Sequence, residues 1–454
     1  MSERRPRVAV VGGGLAGMSA ALACEDGGAD VTVVEAHRWL GGATASFTRD
    51  GLVMDTGQHV FLRCCTAYRA FLDRLGVAGR TTLQRRMEIP VLSPTRRARL
   101  RRSALPAPLH LGPALATYPF LSARERVRVA AGALAMRRVD PADRSTDGRS
   151  FGQWLEERRQ SPESVRYLWD LFGLPSLNLP ASEASLALAA KVFRTGLLER
   201  SDAADIGLPD VSLGELHGEA GRRALEASGA TVLLGAKARG VQSLAGAVTG
   251  VVLDGRTLDA EAVIVAVPNE RVGELLPHGA IRDPSAPARL GASPIVNVHV
   301  VYDRPVTGLR FAAVVDSPVQ WVFDRTSSAG VEGPGQYLAI SLSGAAAQVD
   351  RTVEVLRAEF LPALEALFPA ARDARVERFL VTRERAATFR QAPGTAGLRP
   401  GPVTRVPGLF LAGAWTDTGW PATMESAVRS GIAAARHALL SVGRPERLPT
   451  EVAA

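Results

Sequence analysis

Arg7-Val8-Ala9-Val10-Val11 runs directly into Gly12-Gly13-Gly14-Leu15-Ala16-Gly17, and Asp30-Val31-Thr32-Val33-Val34-Glu35 follows. The first apolar run reads as a buried parallel strand. The glycines make a tight turn, and Leu15 to Gly27, rich in Ala, reads as a helix. Gly12, Gly14 and Gly17 fit G-x-G-x-x-G in the context that gives the motif meaning, after a strand and opening a helix. Their roles are separable: Gly12 permits the turn, Gly14 lets a pyrophosphate approach the backbone, and Gly17 lets helix and strand pack closely. The helix N-terminus offers N–H groups to phosphate. Glu35 ends the second strand, where a carboxylate accepts hydrogen bonds from an adenosine ribose. Strand, helix, second strand and acid together point to dinucleotide binding rather than a structural βαβ unit. The acid argues against NADP, whose extra phosphate it would repel.

The chain has 454 residues, the length of two to three domains. It is 46% hydrophobic and 22% charged, the balance of a globular protein with a sizeable core. Net charge is +8, and Lys191 and Lys237 are its only lysines. A coding bias toward Arg accounts for that imbalance, so total charge says little about partners. No nucleic-acid module accompanies it, and no nucleic-acid partner is expected. Cys24, Cys64 and Cys65 make neither a disulfide framework nor a zinc site, so no metal is expected and a reducing, cytoplasmic setting is. The apolar residues after the early arginines belong to strand, turn and helix, which rejects a signal peptide. No run of 18 or more apolar residues free of breakers suggests a spanning helix.

After Glu35, Ala36 leads to the doublet Gly41-Gly42-Ala43-Thr44, backbone able to pass close to a ligand. Gly51 to Phe61 holds a short strand and the turn Asp55-Thr56-Gly57-Gln58-His59, and Cys65 to Leu75 reads as an amphipathic helix. From Arg85 to Arg102 seven arginines face only Glu88, and Ser103 to Ala123 carries no charge but four prolines. Two readings stay open: an interfacial anchor, with cations for head groups and apolar side chains for the acyl boundary, or a substrate-domain loop and core helix with solvated arginines. Phe151 to Leu198 reads as helices broken between Gly173 and Pro180. A helix from Leu213 to Ala227 precedes Ala230 to Leu234, a β-meander and the buried strand Ala262 to Val267. Strands at Val296 to Tyr302, Tyr337 to Ser343 and Val376 to Val381, with a helix from Gln348 to Phe368, suit an antiparallel sheet with helices on one side. Near the end, Gly408 to Asp417 reads as a strand closing on an acid, and a helix starts after Gly419-Trp420-Pro421. No internal repeat and no second glycine fingerprint appears; Gly330 to Gly335 lacks the strand and helix.

The whole chain resembles the hydroxysqualene dehydroxylase, or squalene-associated FAD-dependent desaturase, family within the amine oxidase–phytoene desaturase flavoproteins. The match is carried by Asp55-Thr56-Gly57-Gln58-His59, by Phe151-x-x-Trp154-Leu155, by Leu177-Asn178-x-Pro180-Ala181-x-x-Ala184-Ser185, by Val192-Phe193-Arg194-x-Gly196-Leu197-Leu198, and by Thr418 to Gly431. Two positions depart from the pattern: Ala43 stands where an Arg usually follows the doublet, and Trp420 where a smaller residue is usual.

The resemblance implies an α/β fold with a Rossmann-like FAD domain of glutathione reductase type, discontinuous in sequence (1–84, 205–275 and 400–454). It implies a substrate- and membrane-facing helical part at 85–204 and a substrate sheet at 276–399, together an α+β domain. FAD contacts would come from Gly12, Gly14, Leu15, Ala16 and Gly17; from Glu35 and Ala36; from Gly41, Gly42, Ala43 and Thr44; from Gly57, Gln58 and His59; from Ala238; and from Asp417, Ala422, Thr423 and Met424. The activity implied is reduction of hydroxysqualene to squalene, with a long isoprenoid as substrate and peripheral membrane contact. His59 is the first candidate for the proton donor, with a structural imidazole as the alternative; Asp170 and Glu425 follow. Trp154, Tyr167, Trp169 and Phe172 are candidates to face a cationic carbon, or else core. A carotenoid or phytoene desaturase is the runner-up. A flavin amine oxidase is third, since neither lysine sits in a motif that places it near the flavin.

Overall fold

In the computed structural model, which describes residues 4–444, strand Arg7–Val11 lies at the centre of a five-stranded parallel sheet. Its neighbours are Asp30–Glu35 on one side and Ala262–Val265 on the other, with Thr231–Leu234 and Leu409–Leu411 outside them. Three separate stretches of chain thus build one sheet. The strands are short apolar runs with no alternation, as burial on both faces requires. Helix Leu15–Asp26 covers one face, and helix Met424–Ser441 packs along it.

The second sheet has seven strands in the order Val376–Thr388, Ser293–Tyr302, Gln336–Ser343, Trp321–Asp324, Phe311–Val314, Glu88–Leu92 and Arg97–Arg101. Val296, Val298 and Val300, with Leu338, Ile340 and Leu342, are buried on one face against Leu356, Phe360 and Leu364 of helix Val353–Leu367. The sheet departs from the expected one in two ways. Phe311–Val314 pairs in parallel with Glu88–Leu92, so the sheet is mixed. Residues 88–101, expected within a mainly helical part, form a hairpin on its edge. Ile89, Val91 and Leu100 point into the core while Arg97, Arg99 and Arg101 point out, a period of two that the density of arginine conceals. Charged side chains on an edge strand also discourage pairing with another chain.

Helices fill most of 103–198. The break expected between Gly173 and Pro180 falls near the end of that range: helix Asp170–Leu177 contains both Gly173 and Pro175 and stops at Asn178, whose φ is 52°. Asn tolerates that left-handed conformation better than most residues. Its side chain fastens the helix to the sheet, donating to Ser293 O (3.0 Å) and accepting from Gly344 N (2.6 Å).

The two halves are joined by a buried ion pair. Asp55 ends strand Leu52–Asp55; its Oδ2 accepts from Arg325 at 2.6 Å, and its Oδ1 accepts from Ser46 Oγ (2.6 Å) and Leu213 N (2.9 Å). Both side chains are buried. Removing one partner strands a charge away from water. Arg325→Met is expected to lower unfolding stability by about 3–5 kcal/mol, and adding Asp55→Asn to recover part of that loss, both read by denaturant titration.

Candidate flavin and substrate site

The glycine turn has the geometry its spacing implies. Gly12 has a φ of 108°, and a Cβ at Gly17 would lie 1.8 Å from Gly12 O, so helix and turn touch backbone to backbone. Gly41 N donates to Gly13 O at 2.8 Å, bringing the second glycine motif onto the first. A Cβ at Gly42 would stand 3.1 Å from Gly14 Cα, whereas one at Gly14 would meet nothing nearer than 3.9 Å. The groove between the motifs is therefore bare backbone at the N-terminus of helix Leu15–Asp26, where Leu15 and Ala16 open a first turn without acidic side chains. Such a cradle takes a pyrophosphate.

Glu35 is buried beside it. Its Oε2 accepts from Gly13 N at 2.6 Å and its Oε1 from His37 N at 2.8 Å, which fixes the carboxylate at the mouth of the turn. Ala36 is exposed next to it. The turn leading to Ala238 runs alongside, with Gly235 N bonded to His37 O and Ala236 N to Glu35 O. Thr44 Oγ1 donates to Gly41 O, closing the doublet's turn. Thr56 Oγ1 donates to Ala43 O at 2.7 Å and lies 3.0 Å from Ala45 O, joining the doublet to the Asp-Thr-Gly segment. There Gln58 Nε2 is buried with no partner, a donor in want of an acceptor. A bare phosphate cradle, a carboxylate at the ribose end and an orphaned donor at the ring end fit a flavin dinucleotide.

At the C-terminal end, helix Met424–Ser441 starts at Thr423, whose Oγ1 accepts from Ser426 N. Ala422 N donates to Gln391 Oε1 at 2.9 Å, and Gln391 Nε2 donates to Leu177 O at 2.8 Å. This buried Gln ties that turn to the end of helix Asp170–Leu177. Arg399 clamps the same turn, donating to Thr416 O (2.6 Å) and Trp420 O (2.9 Å) with Phe389 under its guanidinium. Burial pushes the Arg399 side chain down to about 10. Sequence pointed to neither residue, because each acts on carbonyls or amides distant in the chain. Asp417, expected as an FAD contact, is exposed and accepts a long bond from Gly419 N. Lys191 and Arg429 both lie against the Trp420 ring, at 4.6 and 5.0 Å, so Lys191 does reach the flavin turn although no motif announces it. Burial, then Arg429, lowers the Lys191 ammonium pKa.

The three expected acids have different surroundings. Glu425 is buried and committed: it accepts from Ala67 N, Tyr68 N and Arg429 Nε, capping helix Thr66–Arg74. It is a fastener and not a proton donor. His59 Nδ1 lies 3.2 Å from Gly57 O, and a carbonyl only accepts, so the ring hydrogen is on Nδ1. Burial lowers its pKa; the Gly57 carbonyl and Asp55 oppose this and Arg325 adds to it. A lowered pKa and a hydrogen on Nδ1 leave Nε2 as the accepting nitrogen, which tells against His59 as the acid. Asp170 is raised by burial to about 6, against an opposing hydrogen bond from Ala181 N. That bond, 2.9 Å to Oδ1, leaves Oδ2 to carry the acidic hydrogen.

Asp170 borders a cavity of about 500 Å³ between helices of the middle part and the sheet. Val165, Leu171, Leu174, Pro175, Val315 and Trp321 give it apolar wall, and Glu156, Arg166 and Asp316 also border it. Trp321 stacks on Phe311 and Phe323 with centroids 6.3 Å away in each case. The aromatics singled out from sequence are placed otherwise. Trp154 and Trp169 are buried with Phe151 and Phe193, Trp169 bonds Gln160, and Tyr167 bonds Asp316. Phe172 packs against the same core. Among the described residues no cluster suited to a metal ion occurs.

Known proteins resemble this chain over nearly its whole length. A hydroxysqualene dehydroxylase of Rhodopseudomonas palustris is 28% identical over 96% of this chain and 99% of its own. A zeta-carotene desaturase of Synechocystis is 24% identical over 96% and 98%. A putrescine oxidase structure superposes with a TM-score of 0.72 at 22% identity, over 97% of this chain and 99% of that one, a likeness of fold. The profile of the family described as flavin containing amine oxidoreductase matches residues 15–439. With that match spanning nearly the whole fold and a groove shaped for the flavin, the chain belongs to the flavin containing amine oxidoreductase family.

Proposed function

We propose that this protein is an FAD-dependent oxidoreductase that reduces hydroxysqualene to squalene in squalene and hopanoid biosynthesis. The observation that carries the proposal is the cavity walled by Leu171, Leu174 and Trp321, with the half-buried Asp170 carboxyl, its pKa raised to about 6, on that wall. Replacing a hydroxyl by hydrogen on a long hydrocarbon needs that pairing: apolar walls for the chain, and a proton for the departing oxygen. Reduced FAD, when bound, supplies the hydride that forms the new C–H bond. Asp170 holds the proton on Oδ2 and gives it to the hydroxyl, which leaves as water as the C–O bond breaks. Trp321 offers a π face to the electron-poor carbon, held flat by Phe311 and Phe323. The cradle of Gly14 and Gly42, with Glu35, Gln58 and the Ala422 turn, would hold FAD.

A carotenoid desaturase is the second reading, favoured by the zeta-carotene desaturase that matches over nearly the same length. Desaturation removes hydrogen and leaves no oxygen to protonate, so the raised Asp170 carboxyl tells against it. Supplied with a reductant, the purified protein is expected to convert hydroxysqualene to squalene, seen by mass spectrometry. Oxidation of phytoene with hydroxysqualene untouched would decide for the desaturase.

Asp170 gives a pH signature with a defined sign. Its folded pKa of about 6 lies above the ordinary 3.8, so the ionised form is disfavoured in the fold. Turnover should fall as pH rises through about 6, and Asp170→Asn should lose roughly a hundred-fold or more in kcat. The same variant should be more stable than the parent at pH 8, by up to roughly 3 kcal/mol, because it omits the buried charge. That gain should vanish toward pH 4, where the parent's carboxyl is protonated. Thermal unfolding at both pH values checks it. Gly42→Val places a branched side chain at a φ of 55° against Gly14. It is expected to weaken FAD retention by about ten-fold or more, read from the flavin absorbance of the purified protein.

A further inference from the structure

The arginines are not spread evenly. Between positions 85 and 138 twelve of them face only Glu88 and Glu125, an excess of ten in a chain whose total is +8, so the remainder is net negative. A coding bias would enrich Arg throughout; it would not gather the whole net charge into one stretch. The same stretch exposes apolar side chains. Leu105, Leu109, Val127 and Leu134 are 46, 60, 70 and 53% exposed.

Helix Ala123–Met136 shows how the two are arranged. Its inner side buries Val129, Gly132 and Met136. Its outer side exposes Arg124, Val127, Ala130, Ala131 and Leu134 at helical spacing, with Arg137 and Arg138 exposed just beyond. An apolar stripe thus points to solvent between cations, the reverse of an ordinary surface helix. The hairpin strand Arg97–Arg101, with its outward arginines, and helix Gly112–Ala116 lie alongside. Behind the helix is the substrate cavity. Gln160, on the cavity wall, donates to Arg128 O at 2.9 Å, and a Cβ at Gly132 would meet Gln160 at 3.0 Å and Trp169 at 3.1 Å. One helix therefore separates the cavity wall from the exposed stripe.

We propose that the outer face of helix Ala123–Met136, rimmed by Arg124, Arg137 and Arg138, docks on an anionic phospholipid surface. Among the described residues no helix is long and apolar enough to cross a membrane, so the contact is peripheral. Val127 and Leu134 enter the acyl boundary and the arginines meet phosphate head groups. The cavity is thereby held against the phase in which long hydrocarbons dissolve. That consequence rests on the isoprenoid substrate proposed above; the docking does not.

The test is co-sedimentation of the flavin-loaded full chain with vesicles. Binding is expected to phosphatidylcholine vesicles containing phosphatidylglycerol, weakening as salt rises, and to be much weaker with phosphatidylcholine alone. Val127→Glu with Leu134→Glu should lower the bound fraction by about ten-fold or more. Arg124→Ala, Arg137→Ala and Arg138→Ala together should remove the preference for anionic vesicles. Leu134→Trp keeps the face apolar, and its emission should shift to the blue on binding. The proposal is overturned if the parent stays in the supernatant, if the glutamate variant binds as the parent does, or if the tryptophan emission is unmoved. It is also overturned if the parent is a dimer in buffer that the glutamate variant converts to monomer, which would make the stripe a self-contact. Vesicle binding with hydroxysqualene untouched would refute the substrate and leave the docking standing.

Discussion

Asp55 is the carboxylate on which the two halves of the fold meet. Taking it and Arg325 out of water carries a penalty that their attraction offsets only when the remaining lone pairs and hydrogens are also satisfied. Here Ser46 and Leu213 take the other oxygen, and further guanidinium hydrogens face Pro209 O and Val211 O. One contact therefore sets the hairpin that follows the glycine doublet (46–55), the start of the helix after Leu213 and the substrate sheet relative to each other. Thr56, Gly57 and Gln58 follow directly, so the segment meant for the flavin ring takes its position from a charge that need not touch the flavin.

Features set by neighbours in sequence were legible. The parallel strands announce themselves as apolar runs, and the glycine spacings follow from contacts within a few tens of residues. The hairpin at 88–101 was obscured because arginines on its exposed face look like a basic tail until the alternate Val, Leu and Ile are counted. Asn178 belonged to a stretch whose resemblance was plain, yet its work depends on Ser293 and Gly344, more than a hundred residues away. Arg325, Gln391 and Arg399 carry no local signal of any kind. Each is a polar residue in ordinary surroundings until the chain folds and supplies its partners.

The three acids named from sequence show the same limit in chemical terms. A carboxylate or imidazole near a motif has the right atoms, but its neighbours decide its protonation. Glu425 is consumed by two backbone amides and an arginine, and so holds helix Thr66–Arg74 against helix Met424–Ser441. His59 is turned on the Gly57 carbonyl, and burial lowers its pKa. Only Asp170 combines a raised pKa with a free oxygen beside apolar space, and its single amide bond is too little to cancel the desolvation.

That separation has a physical consequence for how such a protein divides its work. The flavin cradle is backbone and small residues, and its shape tolerates little change because side chains would fill it. The cavity is made by helices and by the turn joining two inner strands of the sheet, Phe311–Val314 and Trp321–Asp324, and its helices are anchored at two points, Asn178 on the sheet and Gln391 on the flavin turn. Substitutions between those anchors can alter volume and polarity without moving the cradle. A fold shared with a putrescine oxidase can therefore present a largely apolar pocket with a carboxyl of raised pKa, since the residues that shape the pocket lie outside the cradle.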